Sequence, residues 1–181
     1  MCEGGTEKEY ADSFAEAQKN PRVRIQAIGH SGVPMSVVRY AKDLRKANEE
    51  DVARKGDENL RFDVIWAVFD VDDHPQFAQA IDMARSNKIE TAISNPSFEL
   101  WLLLHFRLQP GMQHREAVLK LLKQYDPTYD KHISFSLYYP HFEDALRRAR
   151  ELDSFAEDVK DAGRNPTTGY WRLKSSIRTS A

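Results

Sequence analysis

Three acids, Asp70, Asp72 and Asp73, fall within four positions directly after the apolar run Val64-Ile65-Trp66-Ala67-Val68-Phe69. On an extended backbone, side chains two residues apart project to the same side, which pairs Asp70 with Asp72. Carboxylates that close repel one another and raise their own pKa values unless a cation sits between them. Hard oxygen donors of this kind suit Mg²⁺ or Mn²⁺. The bland alternative is a strand-end turn whose aspartates cap the following helix. Asp73, ahead of His74-Pro75, fits that cap, whereas Asp70 and Asp72 are expected to hold the metal.

Glu99 is the next anomaly. It lies in Phe98-Glu99-Leu100-Trp101-Leu102-Leu103-Leu104, where an unpaired buried carboxylate costs several kcal/mol. It must meet a cation, a basic side chain, solvent or a polar cavity; a crevice shared with the aspartates is the functional form of that requirement. Glu7 belongs to a first helical turn, where the helix dipole alone accounts for an acid. Glu3, before Gly4-Gly5, is harder to explain by capping. Lys131 and Arg164 stand in loops, and either is placed to neutralise a phosphate or a leaving oxygen, although most loop cations do neither. Of the six histidines only His74, beside the aspartates, invites attention, and a surface turn explains it equally well. No GxGxxG, GxxxxGK[ST] or GxSxG occurs, which removes dinucleotide, P-loop and nucleophile-elbow readings.

These residues need elements to aim them. The Val64–Phe69 run reads as a parallel-sheet strand buried on both faces, and in open α/β sheets ligands bind outside the carboxyl ends of the strands. Before it, Thr6 and Glu9 have capping-box spacing, opening a helix with Tyr10, Phe14 and Ala17 on one face. Arg22–Gly29 alternates as an edge strand does. Pro34 starts a helix carrying Val37, Val38, Ala41 and Leu44, which runs out in a charged stretch from Lys46 to Asn59, read as a solvated helix end and loop. A helix from Pro75 to Ser86 is expected to turn Phe77, Ala78, Ile81 and Ala84 inward, and Ile89–Ile93 reads as a second buried strand. Asn95, followed by Pro96, is expected to cap the buried Leu100–Leu104 helix, and Trp101 and Phe106 to join the core. His114–Tyr125 and His141–Val159 read as amphipathic helices, 126–139 as loop, and a last helix follows Asn165-Pro166-Thr167-Thr168.

Strands alternating with helices, then helices alone, argue for an α/β domain with a mostly parallel sheet and a helical C-terminal half. At 181 residues the chain suits one domain. Residues 1–106 form its α/β, metal-binding part and 107–181 its helical part. The net charge of -2 announces no global basic field, which leaves room for a local basic groove. Cys2 is the only cysteine, which excludes an internal disulfide or a cysteine-based zinc site. No membrane span or signal profile is visible, and the expected setting is cytoplasmic.

The stretches Cys2-Glu3-Gly4-Gly5-Thr6-Glu7…Tyr10, Val68-Phe69-Asp70-Val71-Asp72 and Ile93-Ser94-Asn95-Pro96-Ser97-Phe98-Glu99-Leu100-Trp101, with Asn165-Pro166-x-Thr168, resemble the RloB family. Its members are encoded near bacterial restriction or abortive-infection loci. That family in turn resembles the Toprim domain, a Rossmann-like metal-binding fold of topoisomerases, primases and nucleases. The resemblance implies that Glu3 matches the glutamate after the first Toprim strand, and Asp70 and Asp72 its Asp-x-Asp. Glu7 then matches a further nuclease acid by spacing, and Glu99 a later acid by role. The same resemblance implies a Mg²⁺-dependent nuclease of phage defence acting on DNA or RNA, with an ABC- or AAA-type ATPase as partner. Glu3, Asp70 and Asp72 would hold metal, with Glu7, Glu99 and Lys131 catalytic. The rival is a non-catalytic effector or sensor subunit of the same ATPase. One departure stands out: only Met1 and Cys2 precede Glu3, so the first strand is expected to be a truncated stub.

Overall fold

The computed structural model describes residues 1–18, 25–29, 32–71, 76–108, 111–158 and 164–173. Among the described residues its sheet has three strands, β1 (Trp66–Asp70), β2 (Glu90–Asn95) and β3 (Thr167–Thr168). The helices are α1 (Gly5–Gln18), α2 (Pro34–Lys55), α3 (Phe77–Ser86), α4 (Glu99–Leu104), α5 (Arg115–Leu122), α6 (Phe135–Tyr138) and α7 (Phe142–Asp158), and residues 170–173, after β3, are helical as well. None is long and apolar enough to cross a membrane.

β1 and β2 run parallel, in a register that sets Ala67 beside Thr91, Val68 beside Ala92 and Asp70 beside Ser94. β3 then pairs antiparallel with the end of β2, Ser94 beside Thr168 and Asn95 beside Thr167. On the far side of β1 the first three residues of the chain lie as a short extended piece. Cys2 bridges in parallel to Val68 on one side and to Gly29 on the other. The Val68 N–H donates to the Met1 carbonyl (2.8 Å), that of Glu3 to Val68 (2.9 Å) and that of Cys2 to Ile28 (2.8 Å). The backbone order across the layer is therefore 25–29, 1–3, β1, β2, β3.

Period-two alternation sends neighbouring strand residues to opposite faces, and each face has its own core. Val68, Cys2 and Ala92 face a cluster with Tyr10 and Phe14 of α1, Leu100–Leu104 of α4, Val118 and Leu122 of α5 and Ala145, Leu146 and Ala149 of α7. Ala67 and Phe69 face the other, with Val37, Val38 and Ala41 of α2 and Ala80 and Ala84 of α3. Helices thus cover both faces, as an apolar strand run requires.

In the first core Tyr10 meets Phe98, Trp101, Phe135 and Tyr170 edge to face at 5.3–6.0 Å between centroids. His105 is fully buried beside it. Its Nδ1 lies 3.0 Å from the Trp101 carbonyl, which only accepts, so Nδ1 carries the proton; the Tyr10 hydroxyl then donates to Nε2 at 2.9 Å. Burial pushes the His105 pKa down to about 3.

Several local expectations need correction. Thr6 does not cap: α1 starts at Gly5, and the Thr6 hydroxyl donates to the Lys131 carbonyl at 2.7 Å. Glu9, the other half of that box, instead meets His132 Nδ1 at 3.3 Å and the Ile133 N–H at 3.4 Å. A tertiary partner displaced the local cap in both cases. Asn95 is the last residue of β2 rather than a cap, and α4 begins only at Glu99, after a cis Asn95–Pro96 bond and a turn. Pro96 is accordingly not in the helix.

Of the expected Arg22–Gly29 strand, residues 22–24 lie outside the described residues and 25–29 contribute the single bridge at Gly29. α2 continues through the charged stretch to Lys55 and ends on Gly56, whose φ of 64° supplies the left-handed cap. Ala78 of α3 faces solvent, and Ala80 takes its place inside. The 126–139 segment contains the one-turn α6. Trp101 is buried as expected, while Phe106 is half-buried and stacks on Tyr125 at 5.0 Å.

Candidate functional site

Three backbone segments end at one place. The short 1–3 piece ends at Glu3, and β1, its parallel neighbour, ends at Asp70. The Asp70 N–H donates to Glu3 Oε2 at 3.0 Å, so the Glu3 carboxylate caps the strand that carries the next acid. Gly4 and Gly5 turn the chain at once into α1, which brings Glu7 back over this edge. A Cβ on Gly4 would stand 3.2 Å from Glu7 Cδ, closer than ordinary packing, so the absence of a side chain there makes room for the Glu7 carboxyl. The turn after β2 swings α4 so that Glu99, in its first turn, meets the same crevice.

The result is an open cleft of about 380 Å³, floored by Glu3, Glu7, Asp70 and Glu99 and flanked by Arg115, Lys131 and His132. Its size is within the range of small-ligand sites.

The acids are not equivalent. Burial alone would raise the Glu99 carboxyl, yet hydrogen bonds from Lys131 and Ser97 outweigh it and hold the group below the usual glutamate range. Lys131 Nζ contacts Oε1 directly. The Tyr129 hydroxyl donates to the same oxygen at 3.0 Å, and the Ser97 hydroxyl to Oε2 at 2.6 Å. Glu99 is thus an ionised, fully engaged carboxylate. Burial of the Tyr129 hydroxyl, and then the Glu99 charge beside it, raise the tyrosine's pKa in turn.

Glu7 goes the other way. Burial raises it, the nearby Glu99 and Glu3 charges add to that, and its backbone hydrogen bond and Lys131 oppose it. Asp70 is raised well above the usual aspartate value, first by burial and then by Glu7, with Arg115 pulling back. The Arg115 Nη2 to Asp70 Oδ2 distance is 3.2 Å. An ionised Glu99 therefore sits beside two carboxyls that resist ionisation.

Of the residues expected from sequence, Glu3, Glu7, Asp70, Glu99 and Lys131 line this one cleft. Asp72, Asp73 and His74 lie outside the described residues. Arg164 is exposed and does not line the cleft. Among the described residues no three Asp, Glu, His or Cys side chains stand ready as a metal-binding set. Sequence reasoning missed Arg115, Tyr129, Ser97 and Thr6. Ser97 carried a weak signal, two positions before an acid that needed a partner. Arg115 and Tyr129 carried none, because only the tertiary fold brings them here.

No curated protein and no solved structure matches the chain. A family model does: that of the RloB-like proteins matches residues 1–177, nearly the full length, and takes in every residue of the cleft. The chain belongs to the RloB-like family.

Proposed function

We propose that this protein is a Toprim-like, Mg²⁺-dependent phosphodiesterase, a nuclease of bacterial phage defence that works with a partner ATPase. One observation carries the reading: Glu3 and Asp70 end adjacent parallel segments and are tied by the 3.0 Å bond from the Asp70 N–H. The backbone order 25–29, 1–3, β1, β2 supports it, because in chain order this is 2-1-3-4, the doubly wound pattern. Its switch point falls between the segments that end in these two acids, which is where open α/β sheets bind ligands.

The donors are of the hard-oxygen kind that a divalent cation takes, although among the described residues no three stand ready as a set. Glu3, Glu7 and Asp70 offer carboxylate oxygens, and burial with mutual repulsion raises two of them, a penalty that a cation relieves. Glu3 and Asp70, joined by Asp72, are the residues to hold it. Bound there, the cation supplies charge neutralisation and a more acidic water. Glu7, whose raised pKa lies closer to neutrality than an ordinary glutamate's, is suited to take up a proton beside the cleft. Lys131, steered by Glu99, presents a positive charge toward a developing oxyanion.

The test is cleavage of end-labelled DNA and tRNA in Mg²⁺ or Mn²⁺ by wild type and Asp70→Asn. Cleavage that the variant lacks supports the reading; equal cleavage by the variant sinks it. A second reading, a non-catalytic subunit of the ATPase, draws on the engagement of Glu99 by three donors, which equally suits a structural brace. Phage protection retained by Asp70→Asn would favour it.

A further inference from the structure

The loop 130–133 at the mouth of the cleft is fastened from α1, from α4 and within itself. The Thr6 hydroxyl donates to the Lys131 carbonyl at 2.7 Å, and Lys131 Nζ contacts Glu99. The His132 N–H donates to Asp130 Oδ1 at 3.3 Å. Lys131 holds a left-handed backbone, a conformation that persists in a residue with a side chain only where its surroundings over-determine it, and that clusters at functional sites.

What this fastening positions is His132. Its side chain is 84% exposed and lines the cleft together with Glu9. Glu9 is itself held at two points: Oε1 accepts from the Ile133 N–H at 3.4 Å, and Oε2 lies 3.3 Å from His132 Nδ1. A carboxylate oxygen accepts, so Nδ1 carries a proton and Nε2 becomes the nitrogen that exchanges one. A carboxylate that orients an imidazole in this way is the arrangement proton transfer needs. The other two basic groups flanking the cleft are less suited to it. The Arg115 guanidinium does not release its protons, and Lys131 is committed to Glu99.

From this we infer that His132 is the proton donor to the leaving oxygen, with Glu9 as its positioning residue. The inference rests on the phosphodiesterase reading above. Water forms the new bond to phosphorus and yields its proton to Glu7. The bond from phosphorus to the sugar oxygen breaks, its electron pair stays on that oxygen, and the proton on His132 Nε2 neutralises it. The neutral imidazole then reloads from solvent.

The assay, in Mg²⁺ or Mn²⁺, compares two substrates. One is an end-labelled oligothymidylate, whose departing alkoxide needs a proton; the other is the p-nitrophenyl ester of thymidine 5′-monophosphate, whose departing phenolate does not. His132→Ala is expected to lower kcat on the oligonucleotide about a hundredfold with KM little changed, and to show a loss roughly tenfold smaller on the ester. Glu9→Ala is expected to show the same bias at smaller size. Equal losses on the two substrates, or no loss on the oligonucleotide, overturn the inference. A second readout needs neither metal nor substrate. In mildly alkaline buffer, side-chain ¹⁵N spectra of the metal-free protein are expected to show His132 protonated at Nδ1, and Glu9→Ala to return the proton to Nε2. An Nε2–H form in wild type overturns the inference as well. The two readings fail differently. Cleavage of neither substrate by wild type removes the phosphodiesterase and the donor together, whereas cleavage with equal losses removes the donor alone.

Discussion

The Thr6 hydroxyl donates to the carbonyl of Lys131 across 125 residues of sequence, and Lys131 holds a left-handed φ of 81° at that point. For an L-residue with a side chain such a conformation costs about 1–2 kcal/mol, whereas glycine adopts it freely. Replacing Lys131 by Gly or by Ala removes the same ion pair with Glu99. Lys131→Gly should therefore be more stable than Lys131→Ala by about 1 kcal/mol in urea denaturation, the reverse of the usual order. Equal stabilities would mean that the fold does not impose this backbone.

Glu99→Gln should cost about 1.5–3 kcal/mol near neutral pH, the range for hydrogen bonds to a charged acceptor. Lys131 is 64% exposed, so most of that loss belongs to the buried donors Tyr129 and Ser97 rather than to the ion pair. The folded-state pKa is depressed, so the contribution is present above the ordinary glutamate value and is lost as pH falls through the lowered one. Denaturation curves of wild type and variant should converge in acid.

Glu7→Gln should do the opposite and stabilise the metal-free protein. The Glu7 pKa is raised in the fold, so its ionisation opposes folding as pH climbs from the ordinary glutamate range through the raised value. Glutamine escapes this, at about 1.4 kcal/mol for each pH unit between the two values. A higher melting temperature at about pH 8, fading at about pH 4, is the expected pattern. A variant less stable than wild type at both would show that the Glu7 charge is well compensated.

His105 makes the fold acid-sensitive. Its pKa falls from 6.5 to about 3 on burial, so the unfolded chain takes up the proton first and stability drops as pH falls below 6.5. The loss should reach about 2 kcal/mol by about pH 5. His105→Gln should be less stable than wild type near neutrality, having lost the Tyr10 contact, yet should show a flatter stability profile between the two conditions. A parallel profile would assign the slope to other groups.

Mg²⁺ should raise the melting temperature of wild type, by about 2.7 kcal/mol of stabilisation at a hundredfold excess over Kd. Glu3→Gln and Asp70→Asn should lose the rise. Because the Asp70 pKa is raised well above the usual value, protons compete for the same oxygen and the midpoint for Mg²⁺ should climb as pH falls. A rise of equal size in Asp70→Asn would place the cation elsewhere.

The parts of the site legible in sequence were those where a residue violated its surroundings. Asp70 ends an apolar run, and Glu99 stands inside another; each needed a partner, and the cleft supplies both. Glu3 was legible because capping does not explain an acid before two glycines, whereas the helix dipole accounted for Glu7, which entered only through the family resemblance; the space that Gly4 leaves for the Glu7 carboxyl was not foreseen. The buried Leu100–Leu104 turn read correctly for the same reason, since an element apolar on all sides has only one place to go.

What stayed hidden was tertiary choice. Thr6 and Glu9 have the spacing of a local cap, but better partners arrived from residues 131–133, more than a hundred positions away. Asn95-Pro96 has the look of a helix start, and the β3 pairing at Asn95 with Thr167 kept that residue in the sheet. A two-residue strand such as β3 has too few side chains to show a period at all. Arg115 was unreadable because nothing in an amphipathic helix pattern marks which exposed cation will lie across from an acid.

The contacts that make the cleft join residues 3 and 70, 70 and 115, 99 and 131, and 6 and 131. On a ribosome, where the N-terminal part emerges first, the four acids are all made before either flanking cation has left the tunnel. The closures are long, so the loop entropy they cost is recovered only once the helices behind them have packed. A nascent chain released short of Tyr129 would hold the acids and none of the tyrosine, lysine and carbonyl contacts that brace them. Competence of the site is thus a late event in the life of each molecule, set by the order in which the sequence is written.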